Sequence, residues 1–272
     1  MRQIIGKLSD ELKKHSKPED VAKNIGYPIH NFRELVEHTA KLAYKNKDYI
    51  LFYRGQKLDF KNKAKRSTFY PSIYRGIVKK QLQEKFTLLD TASKLLIQKF
   101  KQNKIIGHNE LTRKKYIQWS VLQHYEVVET PLLDFTQSLR VACTFAQMDN
   151  ESSKAYVYVF GLPYYTNRIS INSEHNIVNI RLLSIMPPQA LRAYFQEGCL
   201  VGTEDITYEY VSKTELDLKQ RLIAKFEIPN HKNFWTDGFS EIPKDVIYPD
   251  NDLIKDICDE IKLELELLKV HK

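Results

Sequence analysis

The sequence predicts an α+β fold in which helices surround a mixed β-sheet. Segments with helical periodicity dominate the first half of the 272-residue chain, and β-rich segments concentrate in the second half. Helices and strands do not alternate in regular βαβ units, which argues against a doubly wound parallel sheet. No repeat, low-complexity tract or linker divides the chain. We therefore expect a helical lead-in over residues 1–30 and one α+β domain, including a C-terminal helix, over residues 31–272.

Helices are predicted where apolar residues recur at helical spacing. Asn31 and Glu34 form a capping-box pattern at the start of one such segment. Pro187-Pro188 is typical of a helix start, and Gly198 of the position just beyond a helix end. The predicted helices span about residues 1–29, 32–43, 81–103, 111–125, 136–148, 187–195 and 253–268.

Strands are predicted where β-branched and aromatic residues cluster. Residues 49–54 form such a segment, which stops at Gly55 and delivers Arg54 to a loop. Residues 155–160 give the clearest strand pattern in the chain. Further strands are predicted at 177–180, 199–201 and 222–228.

The composition favours a cytoplasmic protein with no membrane partner. Hydrophobic residues make up 42% of the chain and charged residues 28%, as in ordinary globular proteins. No apolar run approaches the roughly 20 residues of a membrane span, and the N-terminus lacks a signal-peptide core. Cys143, Cys199 and Cys258 lack the spacing of a zinc site, so we expect buried free thiols and no metal.

The net charge of +8 favours polyanionic partners, and much of the basic excess lies in residues 57–80. This basic loop has two interpretations. It is either a solvated surface loop or a phosphate-facing loop for a nucleotide or a nucleic acid. The chain has no GxGxxG motif and no Walker-type loop, so neither a Rossmann nor a P-loop nucleotide site is supported.

Polar side chains concentrate between residues 123 and 138. His124 and Tyr125 close a predicted helix, and Asp134 with Gln137 has the pattern of an N-cap for the next helix. Each residue alone has a structural explanation. Grouped before a helix N-terminus, where unpaired backbone N–H groups point outward, they indicate a site for an anionic ligand. The same turn also supplies the hydroxyl groups of Thr136 and Ser138.

Two further residues are candidates for a functional site. Arg54 ends a predicted strand beside Gly55, a position suited to bidentate phosphate binding. Its structural alternative is a salt bridge to an acid at the edge of the core. In Gln196-Glu197-Gly198, Glu197 could lie at the lip of a cleft and stabilise a cation or act on a sugar hydroxyl. Its structural alternative is an exposed carboxylate at a helix end.

These motifs resemble the FRG domain family, which is named for a Phe-Arg-Gly motif. That motif corresponds here to Phe52-Tyr53-Arg54-Gly55-Gln56, with Tyr53 in the aromatic position. A second block of the family resembles Gln123-His124-Tyr125 followed by Leu132-Leu133-Asp134-Phe135-Thr136. The chain departs from the family where residues 126–129 replace Gly-Leu-Pro and where Phe135 replaces Trp. The resemblance extends over about residues 31–260.

At a greater distance, the order of motifs is similar to that of the ADP-ribosyltransferase superfamily. That group has an aromatic-[His/Arg]-Gly motif on its first core strand, then a hydroxyl-bearing turn, then a late Glu or Gln. Arg54, Thr136 or Ser138, and Glu197 occur here in the same order. The resemblance implies an ADP-ribosyltransferase-like split mixed β-sheet, and NAD as a substrate that needs no metal.

Three functional hypotheses follow. The first is a nucleotide-binding enzyme, an ADP-ribosyltransferase or NAD glycohydrolase, that cleaves the nicotinamide N-glycosidic bond and serves as a bacterial toxin or phage-defence effector. The second is a non-catalytic module that binds a nucleotide, or a nucleic acid through the basic loop. The third is a metal-independent nuclease that uses His124. Under the first hypothesis the catalytic residues are Arg54, Asp134 and Glu197. The cofactor-binding residues are Tyr53, Arg54, Gly55, Gln56, His124, Tyr125, Thr136, Ser138 and Gln196.

Overall fold

The computed structural model describes residues 1–76, 79–203 and 213–270 of the chain. Its strands are β1 (Tyr27–Pro28), β2 (Ile50–Gln56), β3 (Leu133–Thr136), β4 (Lys154–Leu162), β5 (Ile169–Asn172), β6 (Ile177–Arg181), β7 (Gly198–Gly202) and β8 (Leu222–Pro229). Its α-helices are α1 (Asp10–His15), α2 (Phe32–Lys45), α3 (Lys79–Gln102), α4 (His108–Arg113), α5 (Lys115–His124), α6 (Leu139–Gln147), α7 (Leu182–Ile185), α8 (Leu191–Gln196), α9 (Lys244–Ile247) and α10 (Leu253–Val270).

Within the described residues, the eight strands form one open sheet in the order β1-β8-β4-β2-β3-β7-β6-β5. The β1–β8 pair is parallel and the other pairs are antiparallel, so the sheet is mixed. This arrangement confirms the predicted α+β class. The strands β1, β3 and β5 were not predicted. The α-helix predicted over residues 1–29 is limited to α1, and the helix predicted at 111–125 is divided into α4 and α5.

The helix predicted after Asn31 is confirmed as α2. The Asn31 side chain caps it by accepting a hydrogen bond from the Glu34 backbone N–H at 2.9 Å. The Glu34 carboxylate in turn accepts from the His30 backbone N–H at 2.8 Å. These bonds pair backbone donors that have no partner inside the helix.

The prediction that the first long strand stops at Gly55 is wrong, because β2 continues through Gly55 to Gln56. A Cβ atom at Gly55 would lie 1.8 Å from the carbonyl oxygen of Ala142. Helix α6 therefore rests its backbone directly on β2 at this point. Gly55 has no side chain, so the backbone of α6 can approach β2 closely at this position.

The prediction that Asp134 caps a helix beginning near residue 136 is also wrong. Residues 133–136 form β3, and α6 begins at Leu139 with Ser138 as its N-cap. Leu133 and Phe135 are buried on either side of the half-buried Asp134, which is the alternation of a strand. Asp134 is thereby placed on a strand beside β7.

The sheet opens between its two central strands, β2 and β3. Tyr53 and Thr136 form one register pair there, and no second pair joins β2 to β3 in the described residues. In contrast, β2 pairs with β4 along its whole length, and β3 pairs with β7 throughout. The sheet therefore consists of two well-paired halves that meet at a narrow junction.

Two hydrophobic clusters stabilise these halves. The first joins α1, α2 and α6 to β2, β4 and β8. The second joins α3, α5 and α10 to β6 and β7. The lead-in over residues 1–30 belongs to the first cluster, to which it contributes Ile4, Leu8, Leu12, Val21 and Ile29.

The three cysteines are buried and free, as predicted. In the part of the chain that the structure describes, no helix has the length and apolar character required to cross a membrane.

Candidate functional site

A pocket of about 650 Å³ lies where the sheet opens between β2 and β3. Its walls come from the end of β2, from β3, from the ends of α5 and α8, and from the basic loop. A volume of this size is typical of sites for small molecules and cofactors. The narrow junction of the sheet thus creates the concave surface in which a ligand could be enclosed.

Arg54 and Asp134 face each other across this opening. The Arg54 Nη1 donates a 2.6 Å hydrogen bond to the backbone carbonyl oxygen of Asp134, which fixes the guanidinium at the gap. The Asp134 Oδ2 accepts from the Gln123 Nε2 at 2.7 Å. Burial raises the pKa of Asp134, and the nearby charge of Arg54 opposes this shift. Burial also lowers the pKa of Arg54. At the gap between β2 and β3 the pocket therefore places the oriented Arg54 beside a carboxylate that has an increased tendency to take up a proton.

His124 lies at the end of α5 and lines the same pocket. Its side chain is buried, and its Nε2 has no hydrogen-bond partner among the described residues. Burial, assisted by the charge of Arg192, lowers the pKa of His124 to about 3. The imidazole is therefore neutral at physiological pH and offers either a donor or an acceptor to a ligand.

The lowered pKa of His124 predicts a specific dependence of stability on pH. His124 takes up a proton near pH 6.5 in the unfolded chain, but only near pH 3 in the folded chain. The contribution of His124 to stability is therefore greatest above pH 6.5 and falls as the pH is lowered from 6.5 toward 3. This single group should reduce the free energy of unfolding by about 2 kcal/mol between pH 7 and pH 5.

Urea denaturation of a His124→Gln variant tests this prediction, because the variant should lose that part of the pH dependence. The matched control is His231→Gln, which alters an exposed histidine outside the pocket. Equal pH dependence of stability in the wild type and in His124→Gln would contradict the lowered pKa of His124.

Arg192, on α8, also lines the pocket and was absent from the predicted site residues. Its side chain is buried, and its Nη2 donates to the Glu126 carboxylate at 2.7 Å. The guanidinium carbon lies 4.6 Å from the centre of the Tyr248 ring, a cation–π contact. The backbone N–H of Arg192 donates to Asp252 at 2.8 Å. The sequence signal for this residue was its place in one short segment with the predicted site residues Gln196 and Glu197.

Four of the residues that line the pocket carry a buried polar atom without a hydrogen-bond partner in the described residues. Such atoms are costly to bury, and native proteins contain few of them. Around this one pocket, these atoms are available to hydrogen-bond with a ligand or with water. The four atoms are Arg54 Nε, Gln56 Oε1, His124 Nε2 and Arg192 Nε.

Most of the predicted site residues come together in this pocket. Those that line it are Tyr53, Arg54, Gly55, Gln56, His124, Asp134, Thr136 and Gln196. Two others lie outside its lining and have structural contacts instead. The hydroxyl of the buried Tyr125 donates to Asp252 at 2.7 Å, and Ser138 caps α6.

Glu197 also lies outside the pocket lining, with an exposed side chain. It ends α8 in the left-handed conformation, with φ of 45°, and its backbone carbonyl accepts from Thr136 Oγ1 at 3.2 Å. Gly198, predicted to close that helix, instead begins β7, where a Cβ would lie 2.6 Å from Leu182. The chain thus contributes the backbone of Glu197 to the contacts of the site, while its carboxylate faces solvent.

The basic loop forms one wall of the pocket, to which it contributes Lys57, Phe60 and Arg75 among others. It is anchored to the sheet by a buried ion pair between Asp59 and Lys225, with 3.0 Å between Oδ2 and Nζ. Residues 77–78 of this loop lie outside the described residues. Asp59 therefore fixes the loop to the fold beside the site, while Leu58 and Phe60 remain exposed.

The FRG domain model matches residues 49–155 of this chain. That range begins just before β2, includes β3 and α6, and ends as β4 begins. It contains Arg54, His124 and Asp134, but Arg192 lies beyond it. No curated protein and no solved structure gave a match. The resemblance to the FRG family is therefore confirmed over residues 49–155, where the chain carries an FRG domain.

Proposed function

We propose that the pocket between β2 and β3 binds a nucleotide through its phosphate groups. The observation that carries this proposal is the pair of arginines, Arg54 and Arg192, each with a buried unpaired Nε in the described structure. Arginine presents a planar set of donors that matches phosphate oxygens, so unpaired arginine donors in a pocket favour phosphate over an uncharged ligand. Lys57 and Arg75 add positive charge to the same lining.

The pocket also provides surfaces for the base and the ribose. Tyr53, Phe145 and Tyr248 contribute aromatic side chains to its lining. Aromatic rings pack against the flat faces of nucleobases in many binding sites. The neutral His124 and the amide of Gln56 can hydrogen-bond to sugar hydroxyls without adding charge. A dinucleotide such as NAD would use both the cationic and the aromatic parts of the pocket.

NAD is the substrate that we propose, with cleavage of the bond between nicotinamide and ribose. The C1′–N bond breaks, and its electron pair leaves with the nicotinamide ring. A water molecule attacks C1′ and loses a proton, which gives ADP-ribose, nicotinamide and H⁺. Asp134 is the less exposed of the two carboxylates in the pocket lining, since Glu126 is exposed and pairs with Arg192. Asp134 can stabilise the oxocarbenium-like transition state and receive this proton. Its raised pKa is suited to accepting the proton, whereas the exposed Glu197 is not in the pocket lining.

A non-catalytic binding module is the second candidate, and the position of the basic loop favours it. Because this loop lines the pocket, the same positive surface could hold a longer polyanion that extends from the site. The nuclease hypothesis has weaker support. His124 is the one histidine among the described residues of the pocket lining, and its low pKa keeps it from serving as a proton donor at neutral pH.

The test is to incubate the purified protein with NAD and to measure free nicotinamide by chromatography. Asp134→Asn should lower the rate of release by at least about 100-fold, since general acid–base groups contribute on this scale. The control is Glu197→Gln, which should leave the rate within about threefold, because this exposed carboxylate lies outside the pocket lining. If Glu197→Gln lowered the rate and Asp134→Asn did not, the catalytic carboxylate would be that of Glu197. No release of nicotinamide, together with no effect of NAD on the melting temperature, would exclude the enzymatic proposal.

A further inference from the structure

The charge of Arg192 is engaged by a carboxylate of the same pocket. Its Nη2 lies 2.7 Å from the Glu126 Oε1. The two partners differ strongly in exposure, with 11% of the Arg192 side chain accessible against 69% of the Glu126 side chain. Glu126 also lines the pocket, so its carboxylate occupies one of the positions that a phosphate would take.

Arg192 is the fixed partner of this pair. Tyr248 lies against its guanidinium, and its backbone is held by the buried Asp252. Asp252 in turn accepts from the Tyr125 hydroxyl and caps α10 through the backbone N–H groups of Ile254 and Lys255. A ligand therefore meets a cation that cannot easily move away from its position.

Glu126 is the exposed partner. It follows α5 at the surface, and Arg192 is the only side chain to which the described structure joins it by a hydrogen bond or an ion pair. When the carboxylate leaves Arg192 it can be hydrated at once, so the cost of separation is small. A ligand that takes its place must nevertheless offer Arg192 a stronger interaction than one carboxylate does.

We infer that Glu126 is a specificity-determining residue that competes with the ligand for Arg192. Its presence selects for ligands that carry at least two negative charges near Arg192, such as a diphosphate, and against single carboxylates. This inference rests on the proposed binding of phosphate groups in the pocket. It further implies that removal of the Glu126 charge increases the affinity for phosphate-containing ligands and leaves the affinity for an uncharged nucleoside unchanged.

Calorimetric titration with inorganic pyrophosphate tests the inference. Glu126→Gln should bind pyrophosphate about fivefold more tightly than the wild type, the scale of one partly exposed ion pair. The matched control is Glu129→Gln, which removes a carboxylate close to Glu126 that pairs with Lys85 and lies outside the pocket lining. If the effect came from net charge alone, both variants would bind more tightly by the same factor.

The outcomes separate the two proposals. Binding by the wild type with an equal or weaker affinity in Glu126→Gln would overturn the role of Glu126 and leave the phosphate site in place. Binding by Glu126→Gln alone would support both proposals. If neither protein binds pyrophosphate, the proposed phosphate site is contradicted, and so is the inferred role of Glu126. Melting temperatures of the variants, measured without ligand, show whether each is folded.

Discussion

Replacement of Arg54 by alanine should lower the affinity for NAD at least about 100-fold. The guanidinium lies at the gap between β2 and β3, where the Asp134 carbonyl oxygen holds it and its Nε has no partner in the described structure. A lost hydrogen bond between charged groups costs about 1.5–3 kcal/mol, and Arg54 can offer a phosphate two such bonds. The dissociation constant is measured by calorimetry under one fixed salt concentration.

Two controls make the Arg54 result specific. Lys63→Ala removes an exposed charge of the basic loop that lies outside the pocket lining, and should change the affinity for NAD less than about twofold. Arg54→Lys keeps the charge but not the planar set of donors, and should bind with an intermediate affinity. Equal losses in Arg54→Ala and Lys63→Ala would point to a diffuse electrostatic surface and against a pocket centred on Arg54.

Replacement of Gly55 by alanine should reduce the free energy of unfolding by about 3 kcal/mol, the upper end of the usual cost of overpacking. The added Cβ would lie 1.8 Å from the Ala142 carbonyl oxygen, and a backbone atom within a helix cannot rotate away as a side chain does. Helix α6 must therefore shift from β2, and overpacking of this kind is costly. Since Gly55 also lines the pocket, the shift should weaken NAD binding as well.

Urea denaturation measures the effect of Gly55→Ala, and Gly238→Ala is its matched control. Gly238 has a φ of +79°, and no atom lies within 4 Å of the position of an added Cβ. Its substitution should cost only the roughly 1–2 kcal/mol of a left-handed alanine. If the two variants were equally stable, close packing of α6 on β2 would not be the reason for glycine at position 55.

The fold class and many of the elements were predictable because they depend on local patterns. Asn31 and Glu34 mark the start of α2, and the run of β-forming residues that became β4 has no competing interpretation. The errors arose where two local patterns coincide. Asp134 followed by Gln137 has the spacing of a capping box, but the same segment alternates as a short strand, and its pairing with β7 decides between them.

The site residues up to Asp134 were largely predicted, whereas those from Arg192 onward were predicted only in part. Arg54 belongs to one motif, and His124 and Asp134 belong to a second one. Arg54 and Asp134 are 80 positions apart in sequence, and the opening of the sheet brings the two motifs to one pocket. Arg192 and Tyr248 join them through tertiary packing, which local spacing does not reveal. The position of Glu197 was uncertain for a related reason. Glu197 ends α8 in the left-handed conformation with an exposed side chain, which the residues around it in sequence do not specify.

A crystal structure of the protein grown with NAD tests the central claim most directly. We predict density for the diphosphate within hydrogen-bonding distance of Arg54 and Arg192, with the Glu126 carboxylate displaced from Arg192. Density for the ribose next to Asp134 would further support cleavage at that position. An empty pocket at saturating NAD, or NAD bound at another surface, would contradict the assignment of this pocket as a nucleotide site.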